Sequence, residues 1–153
     1  MNQIILASHG GLAAGAKDTL EMVLGDVSNV HVVSLARDDK EPITDKVDAM
    51  IATFNADDTV YVLGDAFWKN EENSIRIMER LQGHKHLIQG NHDRVKGKLR
   101  PYWESIEQYA EVNDEHRLVI LSHYPILFYK NQHYGAVMLY GHVHNLSLIH
   151  ISE

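Results

Sequence analysis

The chain has 153 residues, enough for one ordinary core or two incomplete ones, and its 44% hydrophobic and 23% charged residues are the balance of a globular protein. Its 14 Lys and Arg against 21 Asp and Glu give a formal net charge of -7, which argues against a nonspecific nucleic-acid binder and leaves any anionic substrate to local positive charge or a bound metal. With no cysteine, disulfides, thiolate metal sites and cysteine nucleophiles are excluded, so metal binding must use nitrogen and oxygen.

The opening MNQIILASHGG has neither a basic leader nor an apolar stretch of signal length, and no run approaches a membrane span, so a cytoplasmic location is expected. Ile4 to Ala7 reads as a buried strand ending in the Ser8-His9-Gly10-Gly11 turn. Leu12 to Leu24 has helical spacing, with Gly25 as its stop. Val30 to Leu35 predicts a second strand, Ile43 to Phe54 a second amphipathic helix, and Thr59 to Leu63 a third strand that ends at Gly64-Asp65. This alternation is the pattern of an α/β fold with a parallel-type sheet covered by helices.

Glu71 to Leu81 predicts a further helix, with Ile75, Met78 and Leu81 on one face. Three more apolar strands follow. His86 to Gln89 runs into Gly90-Asn91-His92-Asp93, Leu118 to Leu121 into Ser122-His123-Tyr124-Pro125, and Val137 to Tyr140 into Gly141-His142-Val143-His144. Each delivers polar residues at the C-terminal end of a strand, the edge where open α/β sheets bind ligands.

Carboxylate, amide oxygen and imidazole suit hard divalent ions and iron, and a metal pair can hold both the attacking and the leaving oxygen of a phosphoryl group. Asp65, Asn91, His123, His142 and His144, with His92 and Asp93 beside them, supply such donors. Taken singly, GNHD is also a turn that uses Asn and Asp for local hydrogen bonds, and GHVH a pair of strand histidines on one side of an extended backbone. Four strand-end motifs in one order make a stronger pattern.

GDAFW, GNHD, SHYP and GHVH, over about residues 59–145, resemble the successive motifs of the calcineurin-like metallophosphoesterase superfamily. The resemblance implies a partial β-sandwich with helices and hydrolysis of a phosphomonoester or phosphodiester by a metal-activated hydroxide. Two divalent ions such as Mn²⁺, Fe²⁺/Fe³⁺ or Zn²⁺ are implied with it. Asp65 would bridge the metals, Asn91, His123 and His142 would complete the coordination of the second metal, and His144 would bind the first metal. His92 would act as the general acid, oriented by Asp93. The family's opening Asp-x-His is missing upstream of Asp65, which leaves the first metal only Asp65 and His144 and implies one ion in place of two.

The front is different. IILASHGGLAAG, VHVVSL and ITDKVDAMIATFNADDTVYVL resemble the IIA domain of the mannose-family sugar phosphotransferase system over about residues 1–65. That resemblance implies phosphorylation of His9 by the histidine phosphocarrier protein and onward transfer to the IIB component. Imidazole nitrogen is a competent nucleophile and the Gly10 and Gly11 amides suit a phosphoryl group, although the same four residues also make an ordinary strand-to-helix turn. After Asp65, Ala66-Phe67-Trp68 departs from the IIA family's Gly-rich loop.

The chain therefore reads as a chimera: residues 1–63 a IIA-like fragment, residues 59–145 a phosphoesterase-like region without its first strand, and residues 146–153 a tail resembling a translated sequencing adapter, with no weight placed on His150. Three functions stay open on sequence: a metal-dependent phosphoesterase, a phosphocarrier, and a non-functional fusion of the two.

Overall fold

The computed structural model describes residues 1–35, 43–64, 71–115 and 117–142, and of His9, Leu35, Ile43 and Thr44 it describes the backbone. Strand β1 (Asn2–His9) leads into helix α1 (Leu12–Leu24), followed by β2 (Val30–Leu35), α2 (Ile43–Ile51), β3 (Thr59–Leu63), α3 (Glu71–Arg80) and β4 (His84–Ile88). A short 3-10 turn over Gly97–Tyr102 precedes β5 (Ser105–Glu107), and the described residues continue with β6 (Tyr109–Asp114), β7 (Arg117–Ser122) and β8 (Val137–Tyr140).

Five strands form a sheet in the order β2-β1-β3-β4-β5, every adjacent pair parallel. The remaining three form a second sheet, β6-β7-β8, in which β6 runs antiparallel to β7 and β7 parallel to β8. The fold is α/β, as the alternation of strand and helix implies.

Period-two alternation sends successive side chains of the large sheet to opposite faces. On one face Ile5, Val60, Val62 and Leu87 pack with Ile51, Phe54, Met78 and Leu81 from α2, α3 and their ends, and with Leu99 and Trp103 from the β4 to β5 connection. On the other, Ile4, Leu6, Leu63 and Ile88 meet Ala13 and Leu20 of α1 and Val112, Val119, Leu121 and Leu139 of the small sheet. That second cluster is a sandwich core, and it joins residues of the first 63 positions to residues beyond 88 without a break.

Boundaries differ from expectation where turns intervene. α2 stops at Ile51, three residues before the expected Phe54, because the Thr53 and Phe54 amides donate to the Met50 and Ile51 carbonyls in a tightened last turn. α1 ends as predicted, with Gly25 at φ +79 and its amide donating to the Glu21 carbonyl at 3.0 Å. β5 and β6 are additions to the predicted set of elements.

Candidate functional site

In a parallel sheet of this order, connections leave β1 toward β2 on one side and pass to β3 on the other. The order reverses between β1 and β3, and the crevice at their C-terminal ends is where such sheets bind ligands. His9 is the last residue of β1, and Gly64 follows the last residue of β3. The turn after His9 is built for close approach. Gly10 has φ +67, a conformation costly for a residue with a Cβ, and the Ala13 amide donates to Ser8 Oγ at 2.9 Å. Ser8 thereby caps the first turn of α1 from the strand end, which sets that helix N-terminus beside the backbone of His9. A helix N-terminus favours negative charge.

The ends of β4, β7 and β8 meet on the same rim. His123, which follows β7, is 2% exposed, and its Nε2 lies 2.8 Å from Asn91 Oδ1 in the turn after β4. Because an amide oxygen only accepts, Nε2 carries the proton in this contact. The His142 ring, after β8, lies 4.7 Å from that of His123 between centroids, and Tyr124 completes a triangle of rings at 4.8 Å from His123 and 5.3 Å from His142. The backbone fixes this meeting, since the Gly141 and His142 amides both donate to the His123 carbonyl, at 3.2 and 2.9 Å.

Gly64 makes room for His123, and Gly141 for the end of β3. A Cβ on Gly64 would stand 2.1 Å from His123 Nδ1, and Gly64 itself has φ +44. A Cβ on Gly141 would stand 3.1 Å from the Leu63 carbonyl oxygen. Gly64 and Gly141 matter as spacers, and Tyr124 as a ring partner. All three stand inside the motifs read from the sequence, but nothing in the spacing marks them as more than punctuation.

The GNHD turn is closed by its own aspartate. Asp93 is 5% exposed, its Oδ2 accepts the Gly90 amide at 2.8 Å, and its carbonyl accepts from Gln89 Nε2 at 3.2 Å. His92 is half-buried within that turn. Of the sequence-predicted residues, Asn91, His123 and His142 are therefore brought together, with His92 and Asp93 in the same turn as Asn91. Asp65 and His144 lie outside the described residues.

The gathered donors are two imidazoles and one amide, and among the described residues no three His, Cys, Asp or Glu side chains form a group that could hold a metal. The chemistry of the three donors fits a cation such as Zn²⁺ or Mn²⁺ as part of a shell. A cation on His123 Nε2 would need the tautomer with its proton on Nδ1 and would take the place of the contact to Asn91 Oδ1. No helix among the described residues is long and apolar enough to cross a membrane.

Residues 3–68, under half of the chain, match the family model for the PTS system fructose IIA component. This is the segment whose SHGG turn and alternating elements suggested a IIA domain. No curated protein matches the chain. Among solved structures it is similar to the crystal structure of the protein of unknown function AQ665 from Aquifex aeolicus, with a TM-score of 0.52 and 23% identity over 82% of this chain and 62% of that one. At that identity the likeness is one of fold, and the chain spans about 62% of the length of that protein. Neither finding bears on the phosphoesterase reading of residues 59–145.

Proposed function

We propose that the chain handles phosphoryl groups at the β1/β3 rim, its front segment acting as a phosphocarrier of the phosphotransferase IIA type with His9 as acceptor. The observation that carries this reading is the family match over residues 3–68, which contains His9 at the C-terminal end of β1. In the transfer, a ring nitrogen of His9 attacks the phosphorus of a phosphohistidine donor. A new N–P bond forms as the donor's N–P bond breaks, and the donor imidazole leaves with the electron pair. The turn amides and the N-terminus of α1 suit the added negative charge. The partners under this reading are the histidine phosphocarrier protein and a IIB component, and the place of action is the cytoplasm.

Incubation with phosphoenolpyruvate, the general phosphotransferase enzyme and the histidine phosphocarrier protein is expected to label the chain with an acid-labile phosphoryl group, and His9→Ala to remove it. Absence of label in the wild-type chain contradicts the reading.

A second reading, metal-dependent phosphoester hydrolysis, is favoured by one specific observation: Asn91, His123 and His142 converge from three strand ends on one rim. Bound metal would supply Lewis-acid stabilisation of a phosphoryl oxygen. On the chain's side, Asp65, Asn91, His123, His142 and His144 would hold it, and His92 would deliver a proton to the leaving oxygen, with Asp93 keeping its turn in place. Under this reading, Mn²⁺-stimulated hydrolysis of an aryl phosphate is expected, falling by about 100-fold or more in His92→Ala. Rates equal to those of Asp65→Ala across several metals count against it.

A further inference from the structure

The connection from β4 to β5 carries a charge pattern that neither reading uses. Residues 94–100, Arg-Val-Lys-Gly-Lys-Leu-Arg, hold four of the 14 Lys and Arg and no acid, whereas the remaining ten cations share the chain with 21 acids. Arg94, Lys96, Lys98 and Arg100 are all exposed. Among the described residues no ion pair involves any of them.

The strip is displayed on a fixed base. Val95 packs against the helical-face core, Leu99 is 4% exposed and Trp103 3%, so apolar residues between the cations anchor the backbone. The Lys96 amide donates to the Arg94 carbonyl at 3.0 Å, and Arg100 Nη1 to the Trp103 carbonyl at 2.8 Å. Upstream, the Asp93 carboxylate closes the GNHD turn from which the segment leaves. The cations start at Arg94, where the chain leaves the GNHD turn, and end at Arg100 within the 3-10 turn that precedes β5.

We infer that Arg94, Lys96 and Lys98 form a binding strip for a short linear polyanion, a chain of linked phosphates. Four exposed cations within seven residues offer several positive charges within reach of one ligand, which matches linked phosphates better than a lone anion. The acidic remainder of the molecule repels a large polyanion or an acidic protein surface that would have to extend beyond the strip. The inference stands on the strip's own charge and anchoring, so label on His9 or hydrolysis at the rim does not decide it.

The test is calorimetric titration of the full chain with inorganic tripolyphosphate and with orthophosphate, with no divalent cation added, at low and at near-physiological salt. Tripolyphosphate is expected to bind about tenfold or more tightly than orthophosphate and to weaken as salt rises. Lys96→Glu with Lys98→Glu is expected to lower that affinity about tenfold or more while the thermal midpoint stays put, since both side chains are exposed. Equal affinity for the two phosphates, wild-type affinity in the double variant, or tighter binding of a single-stranded oligonucleotide of matched charge would each overturn it.

Discussion

His123 shows how much one position depends on its neighbours having no side chain. It is 2% exposed, carries a hydrogen bond from Nε2 to Asn91, and sits where a Cβ on Gly64 would come within 2.1 Å of Nδ1. Gly64→Ala therefore forces the β3 end away from the imidazole and also places a Cβ at φ +44. Overpacking of this kind costs about 1–3 kcal/mol, and a left-handed conformation adds about 1 kcal/mol. Chemical denaturation is expected to show a loss of about 2–4 kcal/mol, and a change under about 0.5 kcal/mol contradicts the packing described. The sequence marks Gly64-Asp65 as a strand end and His123 as a polar residue at another. It does not show that the two ends touch, because contact between residues 59 positions apart is decided by sheet order rather than by local pattern.

At the level of elements, legibility follows periodicity. α1, β2, β3 and β8 occur with the bounds read from their apolar spacing, and α1, β3 and β8 each have a glycine just beyond the last residue. β6 is different. Only Val112 and Asp114 are buried in it, and Asp114 is accommodated by Asn29 Nδ2 at 3.0 Å, so a buried acid stands where an apolar residue would have signalled a strand. β5 has three residues and adds to the sheet only through its register with β4. β6 packs through Val112 into the core between the two sheets, where Leu121 is 0% exposed, whereas Ile106 of β5 packs against the cluster on the other face. Leu121→Ala is expected to cost about 2–5 kcal/mol, read as a lower denaturant midpoint at unchanged slope. A loss below about 1 kcal/mol would mean that the two sheets are not packed on each other as described.

For the whole molecule, the strand order β2-β1-β3-β4-β5 decides where chemistry can occur. It places the reversal between the strands that end at His9 and Leu63, and side-chain contacts bring the turns after β4, β7 and β8 to the same edge. The sequence shows each motif at a strand end, but the common rim exists only once the parallel pairing is known. Likewise, the sequence reading divides the chain near residues 59–65, whereas the core that runs from Ile4 and Leu6 to Val119 and Leu139 becomes visible only in the packing.

The central claim is that His9, at the end of the first strand, is where this molecule takes up a phosphoryl group. Site mapping by fragmentation mass spectrometry, after phosphoenolpyruvate-driven labelling kept at alkaline pH to preserve the N–P bond, addresses it directly. The account predicts phosphohistidine at His9. Label confined to any other histidine, or none at all while the donor phosphocarrier is fully charged, would contradict it.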